Sequence, residues 1–265
     1  MRKIDLNELR SIQLDILSEV DEFCKKKGIR YSLCGGTLLG AVRHKGYIPW
    51  DDDIDIMMPR EDYDRFAREF CSERSVLQDL REDPDVIEFF LKVFRKKTMM
   101  RDIRFGRNLW GIYIDVFPID GAPESFLEHC NHILELRDRL PRVCPFYKTV
   151  SRNKVLWFAK YIFKRMAFPF YGSVLDIKKE IETVARSAPF ETSPNAGVIL
   201  GSYGVREVVK KSVFDTYIDL PFEGKMFPAI KEFDIYLRAI YGDYMTLPPV
   251  EQRVTHHYYD SFVED

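Results

Sequence analysis

Long apolar runs are missing from this chain of 265 residues. No uncharged stretch approaches the ~20 residues that a membrane-spanning helix needs. The amino terminus has no continuous apolar segment of the targeting kind. Cysteine is sparse: Cys24, Cys34, Cys71, Cys130 and Cys144 are odd in number, scattered, and form no Cys-x-x-Cys pair. That excludes a disulfide framework or a zinc site as the reading, and reduced thiols in a cytoplasmic compartment are expected. Excess charge of one sign is missing as well, because 40 basic and 42 acidic residues leave a net −2. No nucleic-acid partner is therefore expected. Repeats and low-complexity linkers are absent, so residues 1–265 read as one domain. What is present is 46% hydrophobic and 31% charged residue content, ordinary for a chain that buries a core.

The most informative stretch is 31–58, YSLCGGTLLGAVRHKGYIPWDDDIDIMM. Tyr31–Cys34 reads as a buried strand end, followed by Gly35, Gly36 and Thr37 and then helix spacing from Leu38 to Arg43. Asp53 and Asp55 alternate with Ile54 and Ile56, which predicts that both carboxylates leave the same face of one strand. Adjacent carboxylates in an apolar strand repel unless a cation neutralises them. A hard divalent ion with oxygen ligands suits them, magnesium first and manganese as a substitute. Asp51 and Asp52 are placed to organise that loop.

Around this stretch the periodicity predicts helices over 5–27, 60–73 and 230–241, and strands over 86–94, 110–117 and 196–202. A strand pair is expected to turn at Glu223-Gly224, and Pro118 with Asp120-Gly121 is expected to end the strand at 110–117. Asp115, within IYIDVF, is either a satisfied structural acid or a third member of the acidic cluster. Residues 92–107 carry seven basic residues against one acid. They are either a solvated turn or a source of phosphate contacts, with Lys92 and Arg95 best placed. Arg43, His44 and Lys45 admit the same two readings. Trp50 either packs in the core or covers the site, where its ring could face a ligand cation.

Residues 122–195 read as a helical insertion, an acceptor-side or membrane-facing region. Within it, Lys154, Lys160, Lys164 and Arg165 share one arc with Trp157 and Tyr161 opposite an apolar face. A surface-lying membrane contact and a buried helix with snorkelling lysines both fit.

GGTLLGAVRHKGYIPWDDDIDI strongly resembles the signature of the LicD family, which includes bacterial phosphocholine transferases and fukutin-type ribitol-phosphate transferases. FEGKMFP, YGDYMTLPP and RVTHH resemble that family's carboxy-terminal segments. The resemblance implies an α/β (α+β) nucleotidyltransferase fold of the polymerase-beta type, with a mixed sheet and flanking helices. It implies that Gly35, Gly36 and Thr37 hold nucleotide phosphates, that Asp53, Asp55 and Asp115 hold magnesium, and that His256 and His257 belong to the site. It further implies a CDP-choline donor and a lipid-linked glycan acceptor of the teichoic acid or lipopolysaccharide type. Phosphocholine would move to a sugar hydroxyl with release of CMP, at the cytoplasmic face of the membrane. A CDP-polyol donor, or a nucleotidyltransferase releasing pyrophosphate, are the alternatives.

Overall fold

The computed structural model describes residues 1–102, 107–108, 111–144, 156, 158–159, 162–163, 166, 173–255 and 259–264. The chain opens with β1 (Arg2–Ile4) and α1 (Leu6–Lys27). Asp5 caps α1 by accepting from the Glu8 N–H, and Gly28 ends it at φ +62°, a left-handed conformation that suits glycine. β2 (Ser32–Leu33) runs straight into α2 (Gly35–His44), followed by β3 (Asp55–Pro59) and α3 (Arg60–Glu69). Then come β4 (Ser75–Asp79), β5 (Leu91–Arg95), β6 (Thr98–Asp102), β7 (Arg107–Asn108) and the long β8 (Tyr113–Ala122). Two helices follow, α4 (Phe126–Val143) and α5 (Val174–Arg186). The last third holds β9 (Asn195–Gly197), β10 (Val209–Lys210), β11 (Tyr217–Phe222), β12 (Lys225–Ile230), α6 (Phe233–Tyr241) and β13 (Tyr259–Val263).

The central sheet is mixed, as expected. β3 lies parallel to β8, while β2 on β3, β5 on β8 and β4 on β5 are antiparallel. β9 and β10 extend it from the far end of β8. The register sets Asp55 beside Asp115, and Asp115 beside Lys92. One row across three strands therefore carries two acids and a lysine. On this sheet, α1 and α3 meet through the rings of Phe23, Phe66 and Phe70. A second sheet, β1–β13–β6–β7, is wholly antiparallel, and β11–β12 form a hairpin through Glu223 and Gly224.

Two apolar clusters form. The main one joins α1, α2, α3, the sheet and α6. The smaller one gathers Cys130, Ile133, Leu136 and Leu140 of α4 with Val174, Ile177 and Ile181 of α5.

Several boundaries differ from the sequence reading. β8 does not stop at Pro118 but continues to Ala122. The Asp115 N–H points at β3, bonding to Ile54 O, so by alternation the Pro118 nitrogen faces the other edge. There the β5 pairing has already ended at Val116, and no ladder bond is lost. Asp120 is no turn residue either, since the buried Arg60 guanidinium grips it with two bonds of 2.6 and 2.7 Å. The 86–94 strand begins only at Leu91, α3 ends at Glu69, and the strand expected at 196–202 is confined to Asn195–Gly197. Within α1 the apolar Leu6 is 42% exposed, while the polar Gln13 is buried.

Candidate functional site

A cavity of about 880 Å³ opens at the amino-terminal end of α2. Its walls come from three distant stretches: Cys34 to Asp55, Val198 to Glu207, and Tyr241 to Val254, with Phe117 between them. Gly35 and Gly36 form the first turn of α2 itself rather than a loop before it, and no side chain caps that end. Gly35 has φ +49°. A Cβ there would stand 3.6 Å from the Asp55 carboxylate, and one on Gly36 would stand 2.8 Å from that of Asp51. Gly36 thus lets the Asp51 carboxylate close on the positive end of the helix, while Gly35 supplies the left-handed φ that starts it beside Asp55.

Asp55 begins β3, and Asp53 lies in the segment just before it. Both line the cavity with Asp51. Burial, reinforced by Asp53, Asp115 and Asp51, pushes the Asp55 carboxyl well above the usual carboxylate range, with Lys92 opposing. The Thr37 hydroxyl accepts from the Asp55 N–H at 2.9 Å, so it fixes the acidic strand.

α1 holds the loop from the other side. The Arg10 guanidinium donates to the carbonyls of Ile48, Pro49 and Asp51. Gln13 donates to Asp52 O and accepts from the Tyr47 hydroxyl. Neither residue stands out in the sequence, because a polar side chain on an otherwise apolar helix face has no local signature of what it meets.

Asp115 and Lys92 are buried together, Lys92 Nζ donating to Asp115 Oδ1 at 2.5 Å and lying 3.5 Å over the Tyr113 ring. Arg95 instead bonds Glu19 of α1 at 3.2 Å. Arg43 lines the cavity and is held by its bond to Tyr244 O at 2.6 Å. His44 accepts from Arg43 Nε. Burial and that guanidinium lower the His44 pKa, favouring the neutral acceptor. Lys45 ends α2 at φ +61° with its amine turned back to Val42 O. Trp50 lines the cavity, and Arg253, which the sequence reading did not single out, lies 5.6 Å over its ring. Arg253 also sits close enough to Arg43 to disfavour its charge. His256 and His257 lie outside the described residues, as do Lys154, Lys160, Lys164 and Arg165.

The opposite wall is aromatic. Tyr203 and Tyr241 meet edge to face at 5.1 Å, and Tyr244 and Phe117 complete it. Glu207, also unanticipated, lines this end at 3% exposure and accepts from the Tyr236 hydroxyl at 2.8 Å. Burial pushes its carboxyl up to about 7.

Among the described residues no three His, Cys, Asp or Glu side chains already stand as a complete metal-ligand set. The donor chemistry nevertheless fits a hard cation. Asp51, Asp53 and Asp55 offer only oxygen, and Asp55 is held above the usual carboxylate range by burial first and by the neighbouring acids second, both of which a cation would offset.

A mixed sheet with paired acids facing an uncapped, glycine-started helix is the arrangement of a protein that handles phosphate groups. The model of the LicD/FKTN/FKRP nucleotidyltransferase domain matches residues 28–138. A lipopolysaccharide cholinephosphotransferase LicD of Haemophilus influenzae is 30% identical over 270 residues, covering 99% of this chain and 100% of that protein. The ribitol 5-phosphate transferase FKRP of mouse and of human are each 57% identical over 35 residues, 13% of this chain and 7% of theirs. The chain belongs to the LicD family. No helix among its described residues is long and apolar enough to cross a membrane.

Proposed function

We propose that this chain is a phosphotransferase moving phosphocholine from CDP-choline to a sugar hydroxyl of a cell-surface glycan precursor. The observation that carries the reading is the meeting of Asp51 and Asp55 with the uncapped end of α2 in the cavity. Backbone N–H groups of the first turn of α2 would take the donor's phosphate oxygens. Arg43, with Arg253 beside it, would take charge on the departing CMP. Asp53 and Asp55, assisted by Asp51, would hold magnesium or manganese. When bound, that ion supplies charge neutralisation at the diphosphate. The acceptor oxygen would attack the choline-bearing phosphorus and the bond to CMP would break, the hydroxyl proton passing to a carboxylate of the acidic loop. Lys92 holds Asp115, so this acid would act by positioning and by its field on Asp55.

The nucleotidyltransferase fold of the polymerase-beta type is part of this proposal, as is a helical acceptor-side region over 122–195. Full-length similarity to the Haemophilus protein favours a choline donor; the shorter FKRP match leaves a CDP-polyol as the second reading. Asp53→Ala and Asp55→Ala should each lower turnover at least ~10³-fold with melting retained, and a chelator should do the same reversibly. Near-normal CMP release by either variant would refute the assignment, and pyrophosphate in place of CMP would refute the reaction.

We also propose that the segment around 154–168 rests on the cytoplasmic membrane face, where a lipid-linked acceptor would be found. Its described side chains Leu156, Phe158, Ile162, Phe163 and Met166 are all exposed. Glu substitutions at Lys154, Lys160, Lys164 and Arg165 should release the protein from anionic liposomes on flotation. Unchanged flotation would sink this part.

A further inference from the structure

Glu207 is a carboxylate that the phosphate chemistry leaves unused. It is 3% exposed and lines the aromatic end of the cavity. Two donors reach it, the Tyr236 hydroxyl at 2.8 Å and the Tyr203 N–H at 3.3 Å. Among the described residues no basic side chain forms an ion pair with it. Its neighbour Arg206 is turned to the Tyr203 ring, 5.5 Å from the centroid. Room for the carboxylate exists because residue 201 is glycine, where a Cβ would fall 2.3 Å from Glu207 Oε1. A buried carboxylate with hydrogen bonds and only an unbonded guanidinium, that of Arg206, in its neighbourhood is costly to keep ionised. A cation entering the cavity would supply what is missing.

The surrounding rings narrow the class of cation. A quaternary ammonium has no N–H to donate, so it is recognised by ring faces together with a nearby negative charge. Tyr203 and Tyr241 supply rings on the cavity side of Glu207, with Phe117 and Trp50 further along the wall. The place also adjoins the chemistry. The Tyr241 hydroxyl and the Asp55 carboxylate both stand within 4 Å of the position a Gly35 Cβ would take. From the acidic cluster the wall therefore runs through Tyr241 to Tyr203 and then to Glu207.

We propose that Glu207, Tyr203 and Tyr241 form the subsite for a quaternary-ammonium headgroup on the donor and select it over uncharged polyol headgroups. This rests on the phosphocholine reading of the same cavity.

The central comparison is between two ligands that differ only in headgroup charge. Binding of CDP-choline, of the matching CDP ester of 3,3-dimethylbutanol, of CDP-ribitol and of CMP is measured by calorimetry with magnesium present. The dimethylbutyl ester keeps choline's shape and replaces its nitrogen with carbon. Wild-type protein should bind CDP-choline about tenfold tighter than the neutral ester. Glu207→Gln should bring that ratio close to one and leave CMP binding unchanged. Tyr203→Leu should weaken CDP-choline several-fold and CMP not at all. A full ratio retained by Glu207→Gln overturns the subsite while leaving the phosphocholine reading in place. CMP binding with no preference for CDP-choline over CDP-ribitol in the wild type overturns both. A measurement free of variants guards against misfolding. Tetramethylammonium chloride at matched ionic strength should displace CDP-choline and not CMP from the wild-type protein, and equal displacement of both would overturn the subsite.

Discussion

Glu207, buried, and Asp55, half-buried, are both placed against their own charge, with different company. Asp55 faces three other carboxylates, whereas Glu207 faces hydroxyls and rings. For Glu207 the consequence can be read in stability against pH. Its carboxyl rises from 4.5 to about 7 on folding. Between those values the native state holds more protons than the unfolded state, so this group's contribution to stability falls as pH rises through the window. The side chains around it are the Tyr236 hydroxyl, Tyr203, Cys34 and the Arg206 guanidinium. The loss is on the order of 2–4 kcal/mol. Glu207→Gln should therefore melt several degrees above the wild type at pH 8 and close to it at pH 4.5, by calorimetry without ligand. An equal gap at both values would contradict the assignment. Residues of this kind were invisible in the sequence, because nothing adjacent to Glu207 foretells burial beside Tyr203 and Tyr236. That Asp53, Asp55 and the glycines come together at one cavity was legible, because they stand in adjacent positions of the chain.

α1 has caps and periodicity that mark it plainly as a helix, and its sequence suggests packing alone. Its polar residues fasten the acidic loop by backbone carbonyls, and Asp51, Asp53 and Asp55 line the cavity. Gln13→Leu preserves much of the volume but removes the bond to Asp52 O and strands the Tyr47 hydroxyl, except for its 3.3 Å contact with Arg10 O. The expected result is a loss of ~1–3 kcal/mol in urea unfolding. CMP release should fall about tenfold with KM for the donor changing less than kcat. Unaltered kcat would show that the loop needs no such support. β8 teaches the converse about legibility. Pro118 and Asp120-Gly121 carry the local signs of a turn, but an edge without a partner and a buried Arg60 keep the strand going. Only the assembled sheet supplies those facts.

At the scale of the molecule, the cavity is assembled from parts of the chain that the family match treats unequally. The acids and the start of α2 lie within residues 28–138, but Tyr203, Glu207, Tyr241 and Arg253 lie beyond them. On the proposed reading, the acids and the start of α2 thus come from the matched stretch, and the tyrosines of the aromatic wall, with Glu207 and Arg253, come from outside it. Sequence reading accordingly assigned roles residue by residue on the first side, and on the other knew YGDYMTLPP and RVTHH as resembling segments without singling out Tyr203, Glu207 or Arg253.

The ladder that pairs Lys92 with Asp115 carries a further consequence, in the order of assembly. β5 and β8 are antiparallel neighbours, with Lys92 and Asp115 only 23 residues apart. β3 must join β8 in parallel across a longer separation, bringing Asp55 alongside Asp115. The short-range pairing has the lower loop-closure cost, so the lysine is expected to reach Asp115 first and to be in place when the second acid docks. Lys92→Met should slow refolding in chelator, as followed by tyrosine and tryptophan fluorescence, and added magnesium should restore much of the rate. Equal refolding rates with and without the lysine would remove this role. In that sequence of events Lys92 is the chain's own counter-ion, present before any metal can be.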